Sequence, residues 1–152
     1  MTYTQEDADL MRLALSEARA ALKEGEIPVG CVIVKDGRVI ASARNRTRET
    51  GDVTAHAEML ALKQADRYAL RDAKMYVTLE PCPMCAGALA LSGVSRLVYA
   101  SKDEQYGCCG SVYRIPEDPA FPGFCRCDGG LMEEEARALI KEAFEGIRDG
   151  KN

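Results

Sequence analysis

The 152-residue sequence has one histidine, no tryptophan and only three phenylalanines. Its first residues, MTYTQEDADL, lack the basic and apolar regions of a secretory signal, and no stretch approaches the length of a membrane span. These absences predict a cytoplasmic protein without a membrane partner, in a reducing compartment. Because seven cysteines are an odd number, a fully paired disulfide framework is disfavoured, which leaves free thiols or metal ligands as the alternatives.

The sequence also has fewer positive than negative charges, because 20 Lys and Arg against 24 Asp and Glu give a net charge of −4. This balance argues against a protein that holds nucleic acid by bulk electrostatics. One basic run remains around Asn45, and it would either meet phosphates or form a solvated loop; it consists of Arg44, Arg46 and Arg48. With 47% apolar residues and no linker or repeat, the chain is expected to form one domain over residues 1–152.

Apolar periodicity outlines an α/β protein. Helical spacing predicts a first helix from Leu10 to near Gly25, and Asp36-Gly37 between two β-branched runs predicts a hairpin. The pattern then predicts a loop over 44–52 and a helix from Ala55 to about Ala65, capped by Thr54 or Asp52. A strand over 75–80, a helix over 83–92 and a strand over 95–100 are expected next. A long loop over 101–130 and a last helix from Met132 complete the prediction. This order predicts a mixed sheet covered by helices, with one parallel βαβ unit.

Two short segments carry metal-binding chemistry. The sole histidine lies in Thr54-Ala55-His56-Ala57-Glu58, and a Cys-x-x-Cys pair follows a strand in Glu80-Pro81-Cys82-Pro83-Met84-Cys85. Together they match the H-x-E and P-C-x-x-C pattern of zinc deaminases. Pro83 suits the first helical position, which places both sulfurs where a helix dipole stabilises thiolates. His56, Cys82 and Cys85 would then hold one Zn²⁺ and leave its fourth position to water.

Glu58 is the predicted proton carrier. Two thiolates cancel the charge of the zinc ion, so its water is acidified less than at a site of three imidazoles and a nearby base is needed. Glu58 would take the water proton, pass it to a ring nitrogen and later protonate the departing amine, while hydroxide attacks C6 of adenine or C4 of cytosine.

Two alternatives assign Glu58 no role. A structural zinc site needs a fourth protein ligand, for which the chain offers Cys31, Cys108, Cys109, Cys125 and Cys127. A non-catalytic dithiol redox module would use the Cys-x-x-Cys pair alone.

With these residues in view, the chain resembles the cytidine deaminase superfamily, most closely its bacterial tRNA adenosine deaminase branch, from about residue 8 to 111. The matching segments are Pro28-Val29-Gly30, Asn45, residues 54–58, 76–82 and 84–89, and Gly107-Cys108-Cys109-Gly110-Ser111 after Asp103. The resemblance implies a three-layer α/β/α fold around a five-stranded mixed sheet, one zinc ion per chain and a homodimer. It further implies that Asn45 hydrogen-bonds the substrate, that Val29 lines the base pocket and that Asp103 meets the sugar. Backbone N–H groups of Ala57 and near Cys82 would hold the base.

On this resemblance the leading substrate is the wobble adenosine of a tRNA anticodon loop, converted to inosine with release of ammonia. The alternative is a free base or nucleoside, such as guanine, cytosine, cytidine or a modified purine. Three departures fall on elements expected to grip an anticodon loop and keep that alternative open. Pro122-Gly123 replaces the usual Asn-His pair, the last helix is not rich in arginine and aromatics, and the segment between His56 and Cys82 is shorter.

The long loop leaves two questions open. Cys108-Cys109 and Cys125-x-Cys127 would form a second metal site, a redox-sensitive pair or, as we expect, free thiols. The aromatic side chains of the same loop would either stack on a substrate base or close a small core; they are Tyr106, Tyr113, Phe121 and Phe124.

Overall fold

The computed structural model describes residues 2–148, the last two as helix backbone only. Its helices are α1 (Gln5–Lys23), α2 (Thr47–Thr50), α3 (Ala57–Leu62), α4 (Arg67–Leu70), α5 (Pro83–Ser92) and α6 (Glu133–Arg148), with a 3-10 turn at Ile115–Glu117. Its strands are β1 (Gly30–Lys35), β2 (Arg38–Arg44), β3 (Lys74–Leu79), β4 (Arg96–Ser101) and β5 (Arg126–Gly129). No helix among the described residues is long and apolar enough to cross a membrane.

The five strands form one mixed sheet in the order β2-β1-β3-β4-β5. Strand β1 is antiparallel to β2 and β3, whereas β3, β4 and β5 are parallel. The β1–β2 hairpin turns at Asp36-Gly37, where both residues have positive φ (50° and 77°), as a tight hairpin turn requires. The hairpin and the parallel β3-α5-β4 unit are therefore confirmed.

Helices cover both faces of the sheet. On β1, Cys31 and Ile33 point into a core shared with α3 and α5, while Val32 and Val34 point into a second core shared with α1 and α6. Successive strand residues face opposite sides of a sheet, so one short apolar strand supplies both cores. The predicted three-layer α/β/α fold with a five-stranded sheet is confirmed.

Three local predictions are wrong in detail. The helix expected at Ala55–Ala65 is the shorter α3, and its N-cap is His56 rather than Thr54 or Asp52. Asp52 Oδ1 accepts hydrogen bonds from the backbone and hydroxyl of Thr54 (2.7–2.8 Å) in the preceding turn. The 44–52 loop contains α2, whose N–H groups at Arg48 and Glu49 are bound by the buried Glu26 carboxylate at 3.0 and 2.7 Å. The 101–130 loop contains β5, which its sequence Arg-Cys-Asp-Gly conceals because it has no apolar run.

Candidate active site

Three side chains from two helix starts converge on one point. His56 is the N-cap of α3, Cys82 is the N-cap of α5, and Cys85 lies in the first turn of α5. The Nδ1 atom of His56 is 3.5 Å from Cys82 Sγ and 3.6 Å from Cys85 Sγ. A tetrahedral zinc ion with ordinary Zn–N and Zn–S bonds would separate these ligand atoms by about 3.6 Å. The donor types and spacing fit zinc, and the three residues form a potential zinc site.

Within the described residues, no other group of three or more His, Cys, Asp or Glu side chains converges closely enough to hold a metal ion. The structural-zinc alternative required a fourth protein ligand, and no fourth His, Cys, Asp or Glu of residues 2–146 belongs to this group. Three donors are the number found at catalytic zinc sites, where a water molecule is the fourth ligand.

The surroundings of Cys82 at the start of α5 favour negative charge on its sulfur, whereas the hydrogen bond to Cys82 and burial raise the pKa of Cys85. A hydrogen bond from Cys85, together with one from His56, lowers the pKa of Cys82 to about 4 although burial opposes ionisation. The hydrogen bond with Cys82 in turn raises the pKa of His56. Free N–H groups at the start of α5 add to this stabilisation of the Cys82 thiolate, which favours binding of a cation there.

Glu58 lies in the first turn of α3 and is buried beside these donors. Burial raises its pKa to about 7, while its own backbone N–H and the charge of His56 oppose the increase. Its carboxyl group also hydrogen-bonds the Cys85 thiol. A carboxyl group with a pKa near neutrality can both accept and return a proton, as a general base and acid must.

Two of the donors, His56 and Cys82, line a cavity of about 340 Å³ together with Glu58, and this volume is within the size range of small-molecule sites. Its lining combines apolar walls with a few polar groups; the residues are Ile27, Val29, Asn45, Thr47, His56, Ala57, Glu58, Leu79, Glu80, Cys82, Asp103 and Tyr106. All four residues expected to contact substrate, Asn45, Val29, Ala57 and Asp103, are therefore in this cavity. Their individual roles stay predictions.

Local contacts fix these four positions. The Asn45 backbone N–H donates to the Val29 carbonyl at 3.1 Å, and its side-chain amide is 3.5 Å from Thr47 Oγ1. Ala57 is the first residue of α3, so its N–H has no intrahelical acceptor. Asp103 lies at the rim, where its Oδ1 accepts hydrogen bonds from the Gln105 and Tyr106 backbones.

Glu80 and Tyr106 were not assigned to the site by sequence reasoning. Glu80 is a buried carboxylate at the end of β3 that accepts four hydrogen bonds from residues 103–111. The sequence did offer a signal for Glu80, because this acidic residue lies between an apolar strand and Pro81-Cys82. A charged group that is buried in such a place needs hydrogen-bond partners of its own. For Tyr106 the sequence offered no signal that separates it from the other loop aromatics.

The basic run is engaged by the chain's own acidic groups. Arg44 forms ion pairs with Glu17 (3.0 Å) and Glu24 (2.6 Å), and Arg46 pairs with Glu49 (2.5 Å). The Arg48 guanidinium donates to the Gly25 carbonyl at 2.8 Å. These contacts reduce the positive charge available to phosphates.

The loop cysteines are free, as are all seven cysteines of the chain. The thiols of Cys109 and Cys125 hydrogen-bond the Cys127 sulfur, and the bond from Cys109 is the main cause that lowers the pKa of Cys127 to about 5. Cys108 lies apart, with its thiol 3.4 Å from the Tyr106 carbonyl. The four loop aromatics are exposed, so they do not close a small core, and only Tyr106 among them lines the cavity.

Comparison with known proteins identifies close relatives. Residues 4–101 match the cytidine and deoxycytidylate deaminase zinc-binding region. The chain is 40% identical to a tRNA-specific adenosine deaminase of Aquifex aeolicus, with 91% of this chain and 94% of the relative aligned. It is 41% identical to the enzyme of the same name from Agrobacterium fabrum, over 94% of this chain and 97% of the relative.

A solved structure from work on A-to-I editing by tRNA:A34 deaminases superimposes with a TM-score of 0.81 at 42% identity, covering 86% of this chain and 98% of that one. The structure of NE0047 with 2,6-diaminopurine gives a TM-score of 0.73 at 26% identity, covering 90% and 80% of the two chains. Sequence and fold agree, and the chain belongs to the zinc-dependent cytidine and deoxycytidylate deaminase family, as a hydrolase that acts on C–N bonds.

Proposed function

We propose that this enzyme converts the wobble adenosine of a tRNA anticodon loop to inosine, with water consumed and ammonia released. The proposal is supported by one observation above all: a buried carboxyl group, Glu58, adjoins three zinc-type donors in a cavity of nucleobase size. The relatives that share 33–41% of its residues over most of their length carry the name tRNA-specific adenosine deaminase.

In this proposal His56, Cys82 and Cys85 hold the zinc ion, which when bound supplies Lewis-acid activation of a water molecule. The apolar wall at Val29 packs against the face of the base. The Asn45 side chain hydrogen-bonds the substrate, and the unpaired N–H of Ala57 donates to the base edge. Asp103 meets the ribose outside the cavity with the carboxylate oxygen that its turn leaves free.

Glu58 moves the protons of the reaction. Its carboxylate takes a proton from the attacking water and delivers it to the ring nitrogen next to C6, which makes the ring carbon electrophilic. The water oxygen bonds to C6, and Glu58 then takes the remaining proton from that oxygen and passes it to the amine. The C6–N bond breaks, the amine leaves as ammonia, and a carbonyl group remains at C6. Burial supports this cycle because it brings the pKa of Glu58 to about 7, close to the working pH of such an acid–base group.

A second candidate is a deaminase of free bases or nucleosides. NE0047, which aligns over 90% of this chain, has been solved with 2,6-diaminopurine, a small purine. The ion pairs that occupy Arg44 and Arg46 also favour a substrate without phosphates.

The two candidates separate in one assay. The zinc-loaded protein is incubated with an anticodon stem-loop that carries a wobble adenosine, and in parallel with adenosine, cytidine, guanine and cytosine, and ammonia is measured. We expect release from the stem-loop, with inosine at the wobble position. Release from the small molecules alone would contradict the tRNA assignment.

The role of Glu58 has its own test. Glu58→Gln keeps the size of the side chain but removes the proton carrier, so turnover should fall at least ~100-fold while zinc content is unchanged. Glu134→Gln, an exposed change in the first turn of α6, is the matched control and should retain full activity. Substantial activity in Glu58→Gln would rule out the proton-transfer mechanism.

We also propose that residues 1–152 act as one domain, as a homodimer in the cytoplasm. The resemblance supports the dimer. Leu91 and Phe124 are exposed apolar side chains that could contribute to its interface. They follow Ala90 and Gly123, whose backbones are in close contact. Light scattering of the purified protein should give twice the chain mass of 16.6 kDa.

A further inference from the structure

We infer that Glu80 is a positioning residue whose buried carboxylate fixes residues 103–111 across the rim of the cavity, so that Asp103 and Tyr106 face the part of the substrate outside it. This segment is called the rim segment below. The inference rests on the proposed function for what the rim contacts, but the anchoring of the rim segment can be measured without any substrate.

Glu80 joins the zinc-site helix to the rim segment. It follows the last residue of β3 and lies two residues before Cys82, and its N–H donates to the Ser101 carbonyl at 2.9 Å. Glu80 is 2% exposed, and both oxygens of its carboxylate accept hydrogen bonds. Oε1 accepts from the Asp103 backbone (3.2 Å) and the Ser111 hydroxyl (2.5 Å), and Oε2 accepts from the backbones of Cys109 (3.1 Å) and Ser111 (3.0 Å).

The rim segment wraps tightly over this carboxylate. A Cβ atom at Gly107 would lie 2.4 Å from the Glu80 carboxyl carbon and 2.4 Å from the Asp103 carbonyl oxygen, so only glycine fits there. The Gly107 N–H donates to that same Asp103 carbonyl, and the Cys108 N–H donates to the Pro81 carbonyl, both at 2.9 Å. The backbone at Gly107 therefore lies directly against the Glu80 carboxylate and is held there by these two hydrogen bonds.

The anchored segment presents two residues to the cavity mouth. Asp103 Oδ1 accepts from the N–H groups of Gln105 (3.0 Å) and Tyr106 (3.1 Å), which fixes the turn that carries the Tyr106 ring. Tyr106 lines the cavity and remains 64% exposed. An exposed aromatic ring beside a base-sized cavity suits stacking on a nucleotide next to the one inside. Because both Glu80 oxygens are occupied by donors, Glu80 acts through the rim segment rather than as a second base.

Glu80→Gln isolates the anchoring. The amide oxygen still accepts, but the amide nitrogen is a donor and would face N–H groups of the rim segment, which leaves at least one of them without an acceptor. Asp7→Asn is the matched control, because Asp7 is an equally buried carboxylate with several hydrogen bonds on the opposite face of the sheet. Ser111→Ala removes one of the four hydrogen bonds and keeps Glu80 in place.

The experiment measures zinc content, backbone amide hydrogen exchange, and KM and kcat on the anticodon stem-loop, all with zinc-loaded protein. In Glu80→Gln we expect unchanged zinc content, faster exchange over residues 103–111, and a KM raised about tenfold with kcat within about twofold, the loss expected for one unsatisfied buried N–H. Ser111→Ala should show smaller changes of the same kind. Asp7→Asn should leave both the exchange of the rim segment and KM unchanged.

Unchanged exchange over 103–111 in Glu80→Gln, or a fall in kcat at constant KM, would overturn the inference. If Glu80→Gln does not fold, Ser111→Ala decides in its place by the same two measurements. If the unaltered protein does not act on the stem-loop, the proposed substrate is wrong, and the exchange comparison with Asp7→Asn still decides whether Glu80 anchors the rim segment.

Discussion

Glu58, Glu80 and Asp7 are all buried carboxyl groups, and their different partners give them different tasks. Glu58 is buried with few donors, so its pKa rises to about 7 and it can exchange protons. Glu80 accepts four hydrogen bonds from residues of the rim segment, which agrees with the positioning role inferred above. Asp7 accepts from Tyr76 and Arg96, which commits it to joining α1 to the sheet. Residue type alone does not distinguish these three tasks, whereas the local donors do.

At the same scale, the zinc site makes a prediction about two cysteines. Cys82→Ala removes one of three converging donors, so the purified protein should lose its zinc and its deaminase activity. Cys31→Ala is the matched control, since Cys31 is a fully buried thiol in the sheet core and should keep both. Metal analysis of the two purified variants checks the expectation. Retention of zinc by Cys82→Ala would show that another residue completes the site.

At the scale of elements, the close approach of α1 to β1 depends on one glycine. A Cβ atom at Gly30 would lie 2.0 Å from the Ala14 carbonyl oxygen and 2.6 Å from the Ala18 backbone nitrogen. Both neighbours are backbone atoms of α1, which cannot move without moving the helix. Gly30 therefore sets the distance between the first helix and the strand that leads to the cavity wall at Val29.

Gly30→Ala should accordingly lower the free energy of unfolding by about 2–3 kcal/mol, the cost of overpacking a close contact. Gly87→Ala is the opposite case, because a Cβ at that position in α5 would have no atom within 4 Å apart from its chain neighbours and the nearby backbone of its own helix. It should stabilise the protein by about 0.5–1 kcal/mol through helix propensity. Urea unfolding of both variants measures the difference. Equal stability of the two would mean that α1 shifts without cost.

At the scale of the whole molecule, an ionic network crosses the face of the sheet covered by α1 and α6. Asp7 of α1 accepts from the Tyr76 hydroxyl of β3 (2.6 Å) and from Arg96 of β4 (2.9 Å), and Arg96 also donates to Asp128 of β5 (3.0 Å). Burial opposes ionisation of Asp7, but the hydrogen bonds from Tyr76, Thr4 and Arg96 outweigh it and lower its pKa to about 2. The network thus ties one helix to three strands.

This shift makes stability depend on pH in a definite direction. Because the folded-state pKa lies below the ordinary value of 3.8, the contribution of Asp7 is complete above about pH 4 and is lost as pH falls through about 2. The shift corresponds to about 2 kcal/mol. The stability advantage of the unaltered protein over Asp7→Asn should therefore shrink between pH 4 and pH 2 in urea unfolding.

Asp9→Asn, on the exposed side of the same helix, provides the control for that measurement. Its difference from the unaltered protein should stay within about 0.5 kcal/mol over the same pH range, as for other surface charges. A constant advantage over Asp7→Asn from pH 6 to pH 2 would contradict the assignment of the shift to Asp7.

Much of the site could be predicted from sequence because its chemistry is encoded over short separations. Glu58 lies two residues after His56, and Cys85 lies three residues after Cys82 behind Pro83, so the two helix starts determine the local geometry of each pair. The hairpin at Asp36-Gly37 was predictable for the same reason, since turn chemistry is local. Strand β5 was not, because its four residues have no apolar alternation and only pairing with β4 makes them a strand.

The sequence by itself determined the family and the three donors of the potential zinc site, and it predicted the proton carrier, because these depend on residue types at fixed short spacings. Tertiary structure alone decided which distant groups meet. It brought His56 to the two cysteines, enclosed Glu80 in the rim segment and left Tyr106 exposed at the cavity. It also paired the basic run with Glu17, Glu24 and Glu49. The physical reason is that contacts between residues far apart in the chain are determined by the packing of whole helices and strands, which no local pattern specifies.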